Sequence, residues 1–487
     1  MAESRLWAVL STKLPNLRVL GLSNCNLAGV LHPSLLQLEQ LTDLQLSGNN
    51  FSSRVPDFLA KFSSLKTLHL SYCGLYGIFP NSLFLMRTLR SLDVSYNSNL
   101  IGTLPAEFPS GSRLEVINLS GTMFMGNLPH SIVNLVFLQD LEISQCSFSG
   151  SIPSSFENLT ELRYLDFGRN NFSGPVPSLA LSEKITGLIF SHNHFSGFIP
   201  LSYANGLNYL EVLDLRNNSL KGMIPPDLFT KPLLRSLDLS QNQLNGQLKE
   251  FQNASSSLLR EMYLSENELQ GPIPVSIFKI RGLNVLGLSS NQFNGTINFE
   301  MIKDTNELTT LDLSGNNFSF EVSGVNSTLF SHIGKLGLGS CNLKEIPGFL
   351  TNLMNLFHLD LSNNKIKGEI PKWIWKLGNE NLNLLVGEIP QGNQFGTFTS
   401  AAFEGNTGLC GPPLTKTCSH ALPPMEPNAD SGNGTWGIDW NYYWIGFGCG
   451  GGMGLNIGFV AGTVAINIFV KGRGRGRRRR FHTYIHQ

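Results

Sequence analysis

One period governs what this chain can become. The pattern Leu-x-x-Leu-x-Leu-x-x-Asn-x-Leu-x-Gly returns fifteen times, and its ninth position falls at residues 25, 49, 73, 97, 122, 146, 170, 193, 218, 242, 267, 291, 316, 341 and 364. Every gap is 23 to 25 residues. A unit that short cannot close a hydrophobic core alone, so copies must stack on their neighbours and the product is a solenoid. The runs Leu210–Gly222 and Leu234–Gly246 show the pattern in full.

Each position has a physical reason. The second and third leucines flank one residue, as on a short strand whose alternate side chains point inward while those between face solvent. The Asn just past the strand offers donors and an acceptor to backbone groups of its own and the adjoining coil. Cys replaces it at 25, 73, 146 and 341, and Thr at 122. These side chains fit the same slot, so the four cysteines are expected to be buried and structural. After the Gly, many copies continue with an aliphatic residue and Pro, as in Gly150-Ser-Ile-Pro153 and Gly222-Met-Ile-Pro225. There the Gly permits a turn, and the Pro caps a second extended segment and opens a helical turn.

This Leu-x-Gly-x-Ile-Pro continuation resembles the plant extracellular class of leucine-rich repeat and covers roughly residues 14–390. The expected fold is a leucine-rich-repeat solenoid with short parallel strands on the concave face and a 3-10 or irregular convex side, followed by one transmembrane helix. Beyond the repeats, Phe403-Glu-Gly-Asn406-Thr-Gly-Leu-Cys410-Gly-Pro-Pro-Leu414 resembles the C-terminal cap of plant receptor-like proteins of the pathogen-recognition type. The resemblance implies a cap over 391–418 with a Cys410–Cys418 bridge in an oxidising compartment. Residues 419–443 read as an acidic, Pro- and Gly-containing spacer. The 26 residues from Ile445 to Val470 carry no charge, enough to span a hydrocarbon core of about 30 Å. Trp440, Tyr442, Tyr443 and Trp444 sit at the outer edge of this span (444–470) and seven basic residues follow it within 471–487. That order predicts a single pass with extracellular repeats and a cytoplasmic tail at a plasma membrane. Gly446, Gly450, Gly454, Gly458 and Gly462 recur every fourth residue and mark one helix face for close helix approach. In the resembling family that face pairs with an adaptor receptor kinase, and no kinase domain is expected in the 17 residues after Val470.

Several features point away from this family's usual ends. Residues 1–13 read as a shortened lead-in. Leu6–Leu10 is too short for a secretory apolar core, and no paired cysteines precede the first repeat. Near 373–387 the chain enters a copy lacking its Leu-x-x-Leu-x-Leu and ladder Asn.

Composition excludes other classes. Apart from the basic tail, 28 basic side chains face 35 acidic ones, a poor balance for nucleic acid. Gly446-Phe-Gly448-Cys-Gly450-Gly451 follows no strand and does not read as a nucleotide loop. The Arg/Gly tail reads as a topology signal and an anionic-lipid contact. No cofactor, metal cluster or catalytic constellation is expected. The recurrent Asp of Leu-Asp-Leu (Asp93, Asp166, Asp214, Asp238, Asp312, Asp360) reads as a solvated strand face. Sequons at Asn50, Asn118, Asn158, Asn217, Asn253, Asn294, Asn326 and Asn433 favour a glycosylated body, whereas Asn171 and Asn317, adjoining ladder positions, are poorer acceptors. Ligand contact is expected from variable strand residues of the middle repeats: Arg163, Tyr164, Arg169, Glu211, Arg216, Arg235, Arg260, Glu261 and Tyr263, since Arg and Tyr suit recognition surfaces. The functional expectation is a non-enzymatic receptor for an extracellular peptide or protein, pathogen-derived or defence-related. A developmental-peptide receptor and a non-signalling inhibitor are the alternatives.

Overall fold

The computed structural model describes residues 2–298, 307–321, 332–353 and 355–367, with Ile302, Thr305, Pro371 and short pieces at 386–388, 408–412, 414–415 and 465–467. The chain divides into two units, Met1–Gly368 with Ile466–Lys471, and Glu369–Ala465 with Gly472–Gln487.

In the first unit each repeat contributes one three-residue strand to a parallel sheet. Coils are numbered here by those strands: coil 1 at Val19–Gly21, coil 4 at Ser91–Asp93, coil 5 at Val116–Asn118, coil 6 at Asp140–Glu142, coil 7 at Tyr164–Asp166, coil 8 at Gly187–Ile189, coil 9 at Val212–Asp214, coil 10 at Ser236–Asp238, coil 11 at Glu261–Tyr263 and coil 15 at His358–Asp360. Registers are uniform, Tyr164 beside Asp140 and Gly187, and Asp214 beside Asp238. The fifteen copies therefore yield fifteen concave strands. The sixteenth member of the sheet is Ala465–Asn467.

The strands are short because the chain turns at once. Three residues past the strand it adopts a left-handed conformation, with φ near +55° at Tyr96, Arg169, His192, Asn217 and Gln241. The strain of a non-Gly residue there is offset by the ladder residue that follows. Asn97 shows how: its Oδ1 accepts from the N–H groups of Cys73 and Leu75 in the preceding coil at 3.0 and 2.9 Å. Its Nδ2 donates to the carbonyls of Leu70 and Val94 at 2.9 and 2.8 Å. Asn170, Asn193, Asn218, Asn242, Asn267, Asn291 and Asn316 likewise donate to a carbonyl of the preceding coil.

Where Cys stands instead, the thiol donates backward, Cys73 Sγ to Leu46 O at 3.2 Å and Cys146 Sγ to Leu119 O at 3.2 Å. Cys25 departs from the expectation. Its thiol is exposed and, among the described residues, donates to Ser23 O within its own turn, because the helix Ala2–Lys13 and not a repeat coil lies before coil 1.

Beyond the ladder a second, eleven-stranded parallel sheet runs from Tyr76–Ile78 to Asn317–Glu321. Pro then sits at the N-cap of a short helical turn, for example Pro153 before Ser154–Asn158 and Pro274 before Val275–Lys279. The aliphatic positions fill the space between the sheets, and Phe148, Phe172 and Phe195 stack from coil to coil at 6.2 and 6.0 Å. Each fully buried side chain contributes about 1.5–3 kcal/mol, so stability accrues coil by coil.

Residues Ala2–Lys13 form a helix against the Pro33–Gln37 turn. Trp7 is buried and its ring lies 6.3 Å from that of Phe51, while Ser11 Oγ donates to Gln37 Oε1. This helix covers the apolar end of coil 1.

In the second unit Val386–Glu388 pairs in parallel with Gly408–Cys410, and Cys410 is disulfide-bonded. Cys418 lies outside the described residues. So does most of the expected span 444–470, with its glycines 446, 450, 454, 458 and 462. The described part of that span differs from the expectation: Ala465–Asn467 are a strand, not helix. Unpaired backbone groups at an open parallel edge are a template for such a segment. Among the described residues no helix is long and apolar enough to cross a membrane.

Candidate recognition face

The solenoid brings the nine candidate side chains onto the concave sheet in three groups. Arg163, Glu211, Arg235 and Arg260 occupy the position just before the strand in coils 7, 9, 10 and 11, and all are exposed. The uniform register sets them in a row broken only by Thr186. Glu211 Oε2 lies 3.8 Å from Arg235 Nε, a half-exposed pair that solvent screens and that contributes little to stability.

Tyr164, Glu261 and Tyr263 lie on the strands themselves and are half-buried. The Tyr164 ring lies over Gly187, where a Cβ would come within 2.5 Å of it; the missing side chain in coil 8 is what lets the ring lie down. Tyr164 and Tyr263 are four strands apart, about 19 Å at ordinary strand spacing, so no single small group touches both.

Arg216 departs most from the sequence reading. Only 15% of its side chain is exposed. Nη2 contacts His192 Nε2 at 2.8 Å, and Nε lies 3.9 Å from Asp238 Oδ2. It serves the buried charges beneath the face more than a ligand above it. Burial, with Arg216 and Arg169 beside it, pushes the His192 imidazole down to about 4, so it is neutral. A guanidinium only donates, so Nε2 accepts and Nδ1 carries the proton. The 2.8 Å contact from Nδ1 then falls on Asn217, whose amide must turn its oxygen inward to receive it. Arg169 projects from the left-handed position of coil 7, exposed.

The recurrent Asp is only partly on a solvated face: Asp93, Asp166, Asp312 and Asp360 are half-buried. Asp214 and Asp238 are 8% and 6% exposed. Their Oδ1 atoms accept from the N–H two residues on, Arg216 at 3.0 Å and Ser240 at 2.9 Å, and Asp93, Asp166, Asp312 and Asp360 do the same. The Asp therefore holds the turn that follows each strand. Stacking coils places Asp214 beside Asp238 and Asp166 beside Glu142. Burial, aided by Asp214, pushes Asp238 up to about 7, and burial raises Asp214 and takes Asp166 up to about 6. Glu142 belongs to the same row and is pushed to about 7 by burial, then by Asp166, Asp140 and Asp93. The signal was in the sequence: acidic residues share this repeat position in two pairs of successive coils, 142 with 166 and 214 with 238, which puts like charges on adjacent strands.

Lys231 was also missed. It is buried, and its ammonium donates to Ala204 O, Gly206 O and Asn208 Oδ1, closing the turn after Leu201–Asn205. Among the described residues no group of three or more His, Cys, Asp or Glu is placed to hold a metal ion.

Of the sequons, Asn50, Asn158, Asn217, Asn253 and Asn294 are exposed. Asn118 is half-buried on the concave face and donates to Glu142 Oε2 at 3.2 Å. Asn326 and Asn433 lie outside the described residues. Asn171 and Asn317, read as poorer acceptors, are both exposed at the start of second-sheet strands.

Comparison with known proteins is consistent with this geometry. Leucine rich repeat family models match residues 183–244 and residues 16–38, 40–62, 64–86, 137–159, 307–333 and 355–377. Receptor-like protein 39 of Arabidopsis thaliana is 35% identical over 334 residues, 58% of this chain and 38% of the relative. Receptor-like protein 41 of the same plant is 34% identical over 332 residues, with the same shares. This chain thus spans well under half the length of these relatives. Among solved structures, the Arabidopsis receptor kinase HAESA in complex with the peptide hormone IDA and the co-receptor SERK1 matches with TM-score 0.70 and 31% identity, over 84% of this chain and 67% of that one. The plant peptide hormone receptor RGFR1 in complex with RGF2 matches with TM-score 0.70 and 29% identity, over 83% and 63%.

Proposed function

We propose that this chain, which belongs to the plant leucine-rich-repeat receptor-like proteins, holds an extracellular peptide on the concave face of coils 7 to 11 and signals through a partner receptor kinase. The carrying observation is the exposed row Arg163, Arg235 and Arg260 beside Tyr164 and Tyr263. Guanidinium groups in a row pair with carboxylates or carbonyls of an extended backbone, and half-buried tyrosines supply apolar contact at little entropic cost. Peptide hormones are the ligands in the similar solved structures, which favours a peptide over a carbohydrate. The uncharged stretch from Ile445, flanked by aromatic and basic residues, serves as the membrane tether, and its glycine face meets the kinase. A membrane setting puts the repeats outside the cell.

The test uses the full chain expressed in plant cells and the peptide fraction of apoplastic wash as probe. Wild type is compared with Arg235→Glu/Arg260→Glu on the concave face and with Arg87→Glu/Arg281→Glu, an exposed control pair on the convex turns. Retained peptides, read by mass spectrometry, are expected to match between wild type and the convex variant and to be lost from the concave one. An unchanged set on the concave variant contradicts the proposal. For the tether, Gly450→Leu/Gly454→Leu/Gly458→Leu is expected to lower co-precipitation of a receptor kinase.

A further inference from the structure

The concave face is not uniform. In coils 4 to 7 its outward strand residues are Ser91, Asp93, Val116, Asn118, Asp140, Glu142, Tyr164 and Asp166, with four carboxylates and no basic side chain. Just before these strands, Arg90 is already paired with Glu115 at 2.8 Å, and Arg163 stands beside Asp140. The register lines up Asp93, Asn118, Glu142 and Asp166 on four adjacent strands.

Aromatic rings bound this row. Tyr72 and Tyr96 stack across adjacent coils with centroids 4.4 Å apart and planes 12° from parallel, and they remain 59% and 45% exposed. Gly121 leaves space for the Tyr96 ring in the next coil. Tyr164 closes the other end, its ring laid over Gly187. Two exposed, stacked tyrosines kept at a solvent boundary serve no core.

We infer that coils 4 to 7 form a cation subsite, in which a guanidinium or ammonium side chain of the peptide sits between Tyr96 and Tyr164 above Glu142 and Asp166. The inference rests on the peptide-receptor reading and gives that ligand a basic residue. A guanidinium lies flat on an aromatic face and donates to carboxylates at the same time. Among the described residues the strand positions of this row hold no cation, and burial first and then Asp166, Asp140 and Asp93 raise the Glu142 pKa, so an incoming cation is attracted there. Coils 9 to 11, with Arg235 and Arg260, would take the acidic part of the same peptide. The face therefore reads a peptide with separated charges, and its direction is set by them.

Two labelled Gly/Ser nonapeptides, one bearing three arginines and one three glutamates, serve as probes on the full chain. The arginine peptide is expected to bind, and the glutamate peptide, which coils 9 to 11 would take, is expected to be unaffected by substitutions in coils 4 to 7. Glu142→Gln/Asp166→Asn, neutral groups of nearly the same shape, should weaken the arginine peptide about tenfold or more, and Tyr164→Ala should weaken it as well. Asn118→Lys, which supplies an internal cation, should do the same by a different route and guards against loss of fold in the first variant. Arginine-peptide binding that stays within about twofold in both acid-row variants, or that is absent from wild type, overturns the subsite. Apoplastic peptides that are still retained by wild type and lost from Arg235→Glu/Arg260→Glu would then leave the receptor reading standing without it.

Discussion

Replacing Asn97 by Leu tests the physics of the whole array at one residue. Asn97 is fully buried and makes five hydrogen bonds to backbone groups, two of them from N–H groups of the preceding coil. Leu restores the volume but none of the bonds. A typical intramolecular hydrogen bond contributes about 0.5–1.5 kcal/mol net, and a donor left buried and unpaired costs about 1–3 kcal/mol, so the loss should be about 3–5 kcal/mol. Asn97→Cys should cost less, because the ladder thiol of Cys73 donates to the preceding coil and Phe51 N–H finds the Cys73 carbonyl instead. The assay is urea unfolding of the full chain with hydrogen exchange read across residues 70–100, since a long repeat array need not unfold in one step. Exchange should rise first at Cys73 and Leu75. A Leu variant within about 0.5 kcal/mol of wild type, or one no worse than Cys, refutes the reasoning, since changes that small are typical of indifferent surface sites.

Further expectations concern charge, close packing and the first coil. Because burial holds Asp238 and Glu142 near 7 and Asp166 near 6, the folded state keeps protons that the unfolded chain releases near about pH 4. That contribution is whole below the unfolded value and is lost as pH rises through about 7, so melting temperature should fall from about pH 5 to about pH 8, and Asp238→Asn should flatten the fall; a flat wild-type profile would contradict it. Gly102→Ala should destabilise by about 1–3 kcal/mol in thermal melts, since the new Cβ would stand 2.5 Å from the buried Phe124 ring. Trp7→Ala should cost about 3–5 kcal/mol and raise hydrogen exchange in coil 1 and at the next strand, Asp43–Gln45, while leaving coil 10 unchanged; a uniform rise would show that the helix does not act as a local cap.

The repeat period carried most of the fold, because one Asn and two leucines per copy specify strand, turn and stacking together. The second sheet was legible too, since Gly followed by an aliphatic and Pro fixes a turn, an extended segment and a helix start. Less legible was anything that depends on which neighbour a residue meets. Asp238 reads as an outward strand residue until the stacked coils and the Ser240 N–H are in place. Arg216 differs from Arg235 only by its offset from the strand, yet one is enclosed between His192 and Asp238 and the other faces solvent. Cys25 fills the same slot as Cys73 but lacks a coil behind it. Residues 1–13 read only as a lead-in, because the capping role of the helix depends on Trp7 meeting Phe51 and Ser11 meeting Gln37, contacts with residues far along the chain. Tyr72 and Tyr96 carried no motif at all, and their pairing follows only from equal offsets in adjacent copies.

The central claim is that recognition uses the concave face of the middle coils. Arginine-selective labelling of the wild-type chain, with and without the apoplastic peptide fraction and read residue by residue by mass spectrometry, tests it most directly. Arg163, Arg235 and Arg260 should lose labelling when peptide is present, while Arg87 and Arg281 on the convex turns keep theirs, all five being exposed in the free chain. Protection of Arg87 and Arg281 with the concave row still labelled would place the ligand on the other side of the solenoid and contradict the account.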